Sequence, residues 1–313
     1  MMRVFSALAL CLTATLASIS AAAQTFPAKA VTIVVPFAPG GGADTLIRAI
    51  SPRLTAAWGQ AVVIENKPGA SGHIGADQVA RATADGHTLL MATTAAISEK
   101  NVDRFAPVAL VSAEAYVIVV HVGVPAANVR ELVAYAKANP GKLHFGSSGI
   151  GAASHLTAEL FKARAGIEMT HVPYKGTGQA LTDLLAGHIQ LMFAPVQTVA
   201  THFSAGKIKA IAVTGQQPID ALPGVPTVAA SGVADYQALG WFGLLAPVAT
   251  PAPTLARLHA DVSRVLALPE VRKELLAKGA LPGSMSAPEF GAFIRTEQQR
   301  WTKLIKDAGI VLE

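Results

Sequence analysis

Short apolar runs alternate with amphipathic stretches along this chain, and that alternation limits the folds available to it. The first run, from Val31 to Val35, is rich in β-branched residues, as in a strand that is buried on both faces. A glycine-rich turn follows, and apolar side chains then recur at helical spacing from Ala43 to Trp58. Strand and helix in repeated succession predict an α/β fold with a parallel sheet flanked by helices.

The same alternation continues through the second half of the chain. Further strands are predicted at 62–65, 88–93, 117–122, 143–145, 169–172, 189–193 and 208–213. Helices are predicted at 75–82, 129–139, 153–165, 179–186 and about 196–205, and residues 253–308 are predicted to be helical with breaks at prolines.

This pattern predicts two lobes, the first from 24–121 plus about 222–313 and the second from about 122–221. Residues 236–245 are expected to return to the first lobe. Two crossings between lobes make a hinge, and the cleft between them is the expected ligand site.

The first residues have the features of a secretory signal segment. Arg3 supplies a positive charge, an apolar stretch runs from Val4 to Leu16, and Ala21 to Ala23 fits a cleavage site. A membrane anchor is the alternative, but the apolar stretch is shorter than the roughly 20 residues that span a bilayer. We therefore predict a periplasmic protein that is cleaved after Ala23. Cleavage would remove Cys11, the single cysteine, and with it any disulfide, thiol nucleophile or cysteine metal site.

The composition excludes two classes of protein. Apolar residues make up 51% of the chain and charged residues 14%, so the chain can bury enough surface to fold and is not a disordered tail. The formal net charge is +5, and there is no run of Lys or Arg. Nucleic-acid binding needs a clustered basic face, so no nucleic-acid partner is expected.

Three turns that follow predicted strands are suited to an anionic ligand. They run from Phe37 to Asp44, from Gly146 to Gly151 and from Val172 to Gly178. Glycines let the backbone approach a ligand closely, and a helix N-terminus offers free N–H groups to an anion. Parallel strands place such turns together at their carboxyl ends. A branched residue at position 41 would block this approach and conflict with the backbone conformation expected there.

Each turn also has a purely structural interpretation. Asp44 can cap the first helix, the second turn can be an ordinary helix start, and Lys175 and Tyr174 can be a solvated and a packed side chain.

Catalytic motifs are absent from the sequence. It contains no G-x-S-x-G elbow, no Walker loop, no complete dinucleotide fingerprint and no H-E-x-x-H pair. We therefore predict no catalytic residue, no cofactor and no metal site. One alternative stays open, because Ser147 or Ser148 paired with His155 or His171 could form a hydrolytic site.

The order of motifs along the chain is informative beyond any single one. The motifs are Val35 to Asp44, Glu65 to Gly72, Asp85 to Leu90, Phe105 to Val108, Ala136 to Lys142, Gly146 to Gly149, His155-Leu156, Val172 to Gly176, Leu222 to Thr227 and Trp241 to Thr250. In this order they resemble the Bug-type periplasmic receptors of the tripartite tricarboxylate transporter class. The resemblance covers the whole chain after the signal segment.

This resemblance implies a type II, Venus-flytrap binding protein that closes over a small organic acid, amino acid or related carboxylate. It implies that the first loop holds the ligand carboxylate. The residues that it implicates are Phe37, Ala38, Pro39, Gly40, Gly41, Gly42, Asp44, Thr93, Thr94, Ser147, Ser148, Gly149, His155, Tyr174, Lys175, Gly176 and Ala194. The implied partners are membrane permease subunits, with a signalling protein as the alternative, and the implied state is a monomer.

Two departures from the family pattern affect the expected ligand. The segment between Thr94 and Phe105 is shorter than in many relatives, so a contact at the edge of the cleft is expected to be missing or remodelled. Ala194 stands where many relatives carry an Asp that suits an ammonium group. We therefore expect a plain carboxylate in preference to an α-amino acid.

Overall fold

The computed structural model describes residues 26–307 and 309, so the predicted signal segment lies outside the described residues. The strands are β1 (Val31–Val35), β2 (Val62–Asn66), β3 (Thr88–Thr93), β4 (Phe105–His121), β5 (His144–Ser147), β6 (Thr170–Pro173), β7 (Leu191–Pro195), β8 (Ile208–Val213), β9 (Leu239–Pro247) and β10 (Leu281–Pro282). The α-helices are α1 (Gly42–Trp58), α2 (His73–Ala80), α3 (Val129–Ala138), α4 (Ala153–Ala165), α5 (Thr177–Ala186), α6 (Val196–Val199), α7 (Ala252–Ala267), α8 (Pro269–Ala277) and α9 (Ala287–Asp307).

The strands form a mixed sheet in the order β2-β1-β3-β9-β4-β7-β5-β6, and β8 and β10 also pair with β4. β1 is parallel to β2 and β3, and β5 is parallel to β6 and β7, as the alternation predicted. The α/β class is confirmed. The middle of the sheet differs from the prediction, because β9 runs antiparallel to β3 and β4, and β4 runs antiparallel to β7 and β8. These two central strands are not joined to their neighbours by crossover helices, so the parallel rule does not apply to them.

β4 passes through both parts of the sheet as one strand of 17 residues. Its residues 105–115 pair with β9, and its residues 116–121 pair with β7 and β8. We call β1, β2, β3, β9, β10 and residues 105–115 the first half-sheet, and β5 to β8 with residues 116–121 the second half-sheet. The sequence predicted only 117–122 as strand. Residues 105–116 were not predicted as strand because proline is rare within strands. The sheet tolerates Pro107 because the register of β4 with β9 shifts between Pro107 and Ala109.

Hydrophobic clusters cover the two half-sheets separately. Val228 and Tyr236 pack in a cluster with β5 and α4 of the second half-sheet, although they precede β9 of the first. The last helix, α9, contributes to both halves, because Phe290 and Ile294 join a cluster on the first and Trp301 joins one on the second. The predicted lobe boundaries at 121 and 222 stay a prediction.

Thr214 ties the two crossings between the half-sheets together. Its hydroxyl accepts a hydrogen bond from the Tyr116 N–H at 2.7 Å and donates to the Ala238 carbonyl at 2.7 Å. Its own backbone N–H donates to the Tyr116 carbonyl, and its carbonyl accepts from the Ala238 N–H. Thr214 is fully buried, so these bonds form away from water. We call this group the Thr214 clamp.

In residues 26–307, no helix is long and apolar enough to cross a bilayer. The same residues contain no group of three His, Cys, Asp or Glu side chains arranged to hold a metal ion.

Candidate ligand-binding cleft

The first loop, residues 36–42, connects buried β1 to α1. Asp44, in the first turn of α1, holds this loop in place: its carboxylate accepts hydrogen bonds from Gly40 N at 3.0 Å, Arg48 Nε at 2.9 Å and Asn66 Nδ2 at 3.0 Å. Asp44 is buried by these contacts, which makes it a support of the loop. The glycine of this loop that adopts a left-handed backbone conformation is Gly40, with φ of +82°. Gly41 has φ of −80° and ψ of 173°, which any residue can adopt, so the expectation of a glycine-only conformation at position 41 is wrong.

Position 41 still requires a small residue, because the opposite half of the molecule lies against it. A Cβ at Gly41 would lie 3.2 Å from Oγ1 of Thr177, at the start of α5. Next to it, the Ala38 N–H donates to the Lys175 carbonyl at 3.2 Å and joins the first loop to the third predicted turn. The two halves therefore touch across the cleft, and the structure is a closed form.

A cavity of about 30 Å³ remains in the closed cleft. It exceeds the roughly 10–15 Å³ that one water needs, and it is far smaller than the several hundred Å³ of an ordinary ligand pocket. Its lining comes from both halves: Phe37, Gly41, Gly42, Ala43, Thr93, Tyr116, Ser148, Ala152, Ala153, Thr177, Pro195, Trp241 and Phe242. We call it the cleft cavity. Its size suits a carboxylate head group and not a complete organic acid.

Three helix N-termini meet at the cleft cavity. Gly42 begins α1, Ala153 begins α4 and Thr177 begins α5, and all three residues line the cavity. Within the described part of the chain, no side chain caps any of these three helices. The first N–H groups of a helix have no intrahelical acceptor and carry partial positive charge. Three such ends around one small cavity give it the chemistry that suits an anion.

Two side chains of the first half-sheet add hydrogen-bond donors to the cleft cavity. Thr93 ends β3 and Trp241 lies in β9, and both are at least nine-tenths buried. Thr93 Oγ1 and Trp241 Nε1 are buried, and neither has a hydrogen-bond partner among residues 26–307 and 309. Buried polar atoms are nearly always satisfied in folded proteins, so an occupant of this cavity is expected to supply the missing acceptor.

The second turn is organised by a buried serine and two stacked histidines. Ser147 Oγ lies 2.6 Å from Nε2 of His171 and accepts a hydrogen bond from Gly149 N at 3.1 Å. The rings of His155 and His171 stack with centroids 3.8 Å apart. Burial lowers the pKa of His155 to about 3 and that of His171 to about 4, so both rings are neutral at pH 7. Gly151 N donates to Nδ1 of His155, consistent with a neutral ring that shapes the loop.

The third turn forms the outer wall of a second space, a cavity of about 450 Å³ at one mouth of the cleft. The Tyr174 hydroxyl donates to Asp183 at 2.7 Å, and burial together with that carboxylate raises the pKa of the phenol. Lys175 is exposed beside it. Neither side chain lines the cleft cavity.

The residues implicated by the resemblance fall into three groups. Those that line the cleft cavity are Phe37, Gly41, Gly42, Thr93 and Ser148. Those that line a neighbouring cavity are Gly149, Tyr174 and Lys175 on one side and Thr94 on the other. Those that line none of these cavities are Ala38, Pro39, Gly40, Asp44, Ser147, His155, Gly176 and Ala194, of which Ser147 and Ala194 are fully buried.

Sequence reasoning did not name eight of the lining residues. Four of them, Ala43, Ala152, Ala153 and Pro195, carry no polar side-chain group, and the other four are Tyr116, Thr177, Trp241 and Phe242. Thr177 could have been found, because it lies within the third turn, at the start of a helix that was predicted two residues too late. The other three lie on β4 and β9, where burial and not any polar motif characterises the sequence.

A buried carboxyl group lies beneath the first loop. Glu114, on β4, is fully buried, and its Oε1 accepts a hydrogen bond from Nε2 of Gln197 at 3.0 Å. That same amide nitrogen would lie 3.0 Å from a Cβ at Gly42. Burial raises the pKa of Glu114 to about 8, which keeps the carboxyl group protonated and neutral at pH 7.

Known proteins share this fold and this sequence pattern. The family model described as tripartite tricarboxylate transporter family receptor matches residues 46–310. The chain is 32% identical over 302 residues to Protein BugT of Bordetella pertussis, which covers 93% of each chain. Among solved structures, R. palustris Rpa4515 with adipate superposes with a TM-score of 0.87 at 34% identity, over 91% of this chain and 99% of that one. The periplasmic binding protein BugD superposes with a TM-score of 0.84 at 33% identity, with the same coverage.

Proposed function

The chain belongs to the tripartite tricarboxylate transporter receptor family, and from this premise we propose that it captures a small carboxylate between its two lobes for uptake. The single observation that supports the ligand class is the meeting of three helix N-termini at the cleft cavity. Adipate in the related Rpa4515 structure is a carboxylate of this kind. The head group would accept from these N–H groups and from Thr93 and Trp241.

The proposed site favours a plain carboxylate over an α-amino acid. In the described residues that line the cleft cavity, there is no Asp or Glu to pair with an ammonium group. The fully buried Ala194, where many relatives are expected to carry Asp, supplies none either. An α-ammonium group would therefore lose water without gaining an ion pair.

Delivery to membrane permease subunits is the partner role that family membership supports, and we propose it here together with a periplasmic, monomeric state. A sensor that docks on a signalling protein would use the same cleft. Deletion of the permease subunits distinguishes the two, because a receptor for uptake then loses transport while a sensor keeps its transcriptional response.

The experiment is a thermal-shift screen followed by calorimetry on protein purified from the periplasm of an expression host. A ligand at 100 times its Kd adds about 2.7 kcal/mol to stability, which raises the Tm of a domain of this size by several degrees. We expect carboxylates to raise the Tm and their methyl esters to have no effect. If esters bind as tightly as the free acids, the helix N-termini are not the site.

Ser147 and His171 supply the one observation in favour of a hydrolase, because their side chains are 2.6 Å apart. Ser147 is fully buried, however, and its hydroxyl is engaged by Gly149, so a substrate cannot reach it. We expect Ser147→Ala to lower stability by about 1–3 kcal/mol, since it leaves buried groups unpaired. Ester turnover that the wild type shows and Ser147→Ala lacks would replace the receptor proposal with a hydrolase.

A further inference from the structure

A large cavity lies behind the cleft cavity, on the other side of Trp241. Its volume is about 520 Å³, in the range of small-molecule sites. Ser71 and Thr94 line it from the first half-sheet, Ile150 lines it from the second, and α9 closes it with Ile294 and Trp301. We call it the rear cavity. It is built from both halves of the molecule, so its shape depends on closure.

The rear cavity and the cleft cavity are back to back. Trp241 lines both of them. Consecutive residues line the two cavities at two places in the chain. Thr93 lines the cleft cavity and Thr94 the rear cavity, and Ala152 lines the cleft cavity and Gly151 the rear cavity. A ligand with its head group at the helix N-termini has two neighbouring spaces for its body: the rear cavity, past the Trp241 indole, and the cavity of about 450 Å³ at the mouth of the cleft, which shares Phe37 and Ser148 with the cleft cavity. The lining of the rear cavity is the better match for an apolar body.

The walls of the rear cavity are mainly apolar. They include two indole rings, those of Trp241 and Trp301, together with the aliphatic side chains Ile97, Ile150, Leu156, Ile294 and Ile305. Thr94 Oγ1 and Gln298 Nε2 are buried in its lining, without a hydrogen-bond partner in the described part of the chain. Such a lining suits a ring-sized apolar body that carries a polar substituent.

The charges around the rear cavity do not suit a second carboxylate. Arg104 is engaged by Asp77, and Glu297 accepts from Trp301 Nε1 at 2.9 Å. Burial lowers the pKa of His73, so its ring is neutral at pH 7. Lys100 and its neighbour Glu99 are both exposed to water where they line the cavity. Among the described residues, each cation that lines the rear cavity is thus either paired or exposed to water, so a distal carboxylate would meet no buried, unpaired cation there.

We propose that the ligand is an aromatic monocarboxylate, with its carboxylate in the cleft cavity and its ring in the rear cavity beside Trp241. This inference rests on the proposed function, since it needs the head-group site, and it adds the chemistry of the rest of the ligand. It separates this chain from a receptor for a short or linear dicarboxylate.

Calorimetry with five probes tests the proposal: propionate for the head group alone, phenylacetate and 3-phenylpropionate for a ring at two distances, and malate and adipate for a second carboxylate. We expect an aromatic acid to bind about tenfold or more tightly than malate and adipate. Tighter binding of either dicarboxylate overturns the proposal and leaves the proposed function intact.

A pair of matched variants on α9 locates the ring. Thr302 is exposed and lines the rear cavity, whereas Thr296 is exposed on the same helix and does not line it. We expect Thr302→Trp to weaken binding of the preferred aromatic acid by about tenfold or more, to leave propionate unchanged, and Thr296→Trp to change neither. Equal aromatic affinity in Thr302→Trp and wild type places the ring elsewhere and overturns the proposal. If none of the five acids binds, this inference fails, and the wider carboxylate screen with its ester controls decides the proposed function.

Discussion

At the scale of single residues, the cleft depends on backbone that comes within van der Waals distance of the opposite lobe. Gly41 lies against Thr177, and Gly42 lies against Gln197, Pro195 and Phe242. Neither glycine is required by its φ angle, in contrast to Gly40. Their requirement is for space, so the effect of a substitution is expected on ligand binding and closure more than on folding.

We predict that Gly41→Val weakens carboxylate binding by about tenfold or more, because a branched side chain would occupy the space between the first loop and Thr177. Binding is measured by calorimetry and folding by thermal denaturation. The control is Ala57→Val, an exposed change near the end of α1, which is expected to leave the affinity unchanged. Unchanged affinity in Gly41→Val would move the carboxylate away from the first loop.

Glu114 makes stability depend on pH in the opposite direction from most carboxyl groups. Burial raises its pKa from 4.5 to about 8, so between these values the folded protein keeps a proton that the unfolded chain has released. Its contribution is therefore complete below about pH 4.5 and is lost as the pH rises towards 8.

We predict that Glu114→Gln, which cannot ionise, gains stability over the wild type by up to about 1.4 kcal/mol per pH unit across this interval. Urea denaturation from pH 5 to 8 measures the difference. Glu289→Gln is the control. The hydrogen bond from the Ser286 hydroxyl lowers the pKa of Glu289, so this carboxyl group changes stability with pH only below the tested interval. Parallel curves for wild type and Glu114→Gln would mean that Glu114 is already ionised at pH 5.

At the scale of elements, β4 and the segment that follows β8 carry the chain between the half-sheets. The Thr214 clamp joins them with one hydroxyl and two backbone hydrogen bonds, all buried. We expect movement between the predicted lobes to be accommodated next to this clamp, at Ala115 and Tyr116 on β4 and at Ala238 and Leu239, where β9 begins.

We predict that Thr214→Val lowers the free energy of unfolding by about 1–3 kcal/mol, since it leaves the buried Tyr116 N–H and Ala238 carbonyl without that partner. Thr198→Val is a matched control. Thr198 is also buried, and its Oγ1 has no hydrogen-bond partner in the residues that the structure covers. Chemical denaturation compares the two variants, and equal losses would show that the clamp contributes no more than packing.

The sequence was most informative where an element has a simple pattern. The bounds of β1, β3, α4 and β8 agree with the prediction at both ends, because each is a run of one periodicity bounded by turn residues. The long β4 was missed in its first part, where Pro107, Ser112 and Glu114 interrupt the apolar pattern of a buried strand. Tertiary contacts, and not local propensity, place those residues in the sheet.

The candidate site was predicted in part for the same reason. Turns such as Phe37 to Gly42 are recognisable from their glycine-rich composition, and in the structure residues of all three turns line the cleft cavity. Trp241 gave no such signal, because a tryptophan in an apolar run is usually core. Its position between two cavities follows only from the pairing of β9 with both β3 and β4.

At the scale of the whole molecule, the described structure is closed, with the Ala38 N–H bonded to the Lys175 carbonyl across the cleft. α9 lies across the hinge side and packs on both halves. Opening of the cleft therefore breaks few polar contacts between the first loop and the third turn. The two crossings and α9 keep the two halves joined on the other side. A molecule built in this way is expected to open without ligand and to close around it.

We predict that small-angle X-ray scattering gives a smaller radius of gyration with a saturating ligand than without it, and that the ligand-bound curve matches the closed structure. The comparison requires a ligand that calorimetry has first confirmed. Identical curves with and without that ligand would show that capture occurs without movement of the lobes.

The place of β9 between β3 and β4 has a consequence for how the chain is made. Leu90 pairs with Leu245, so the first half-sheet has a gap until β9 has left the ribosome. Contacts so distant in sequence form slowly, because a long loop must close before they can be made. The first half-sheet is therefore expected to be completed only late in synthesis. For a protein that is predicted to be exported, such late completion is expected to favour a chain that is still incompletely folded when it is threaded across a membrane.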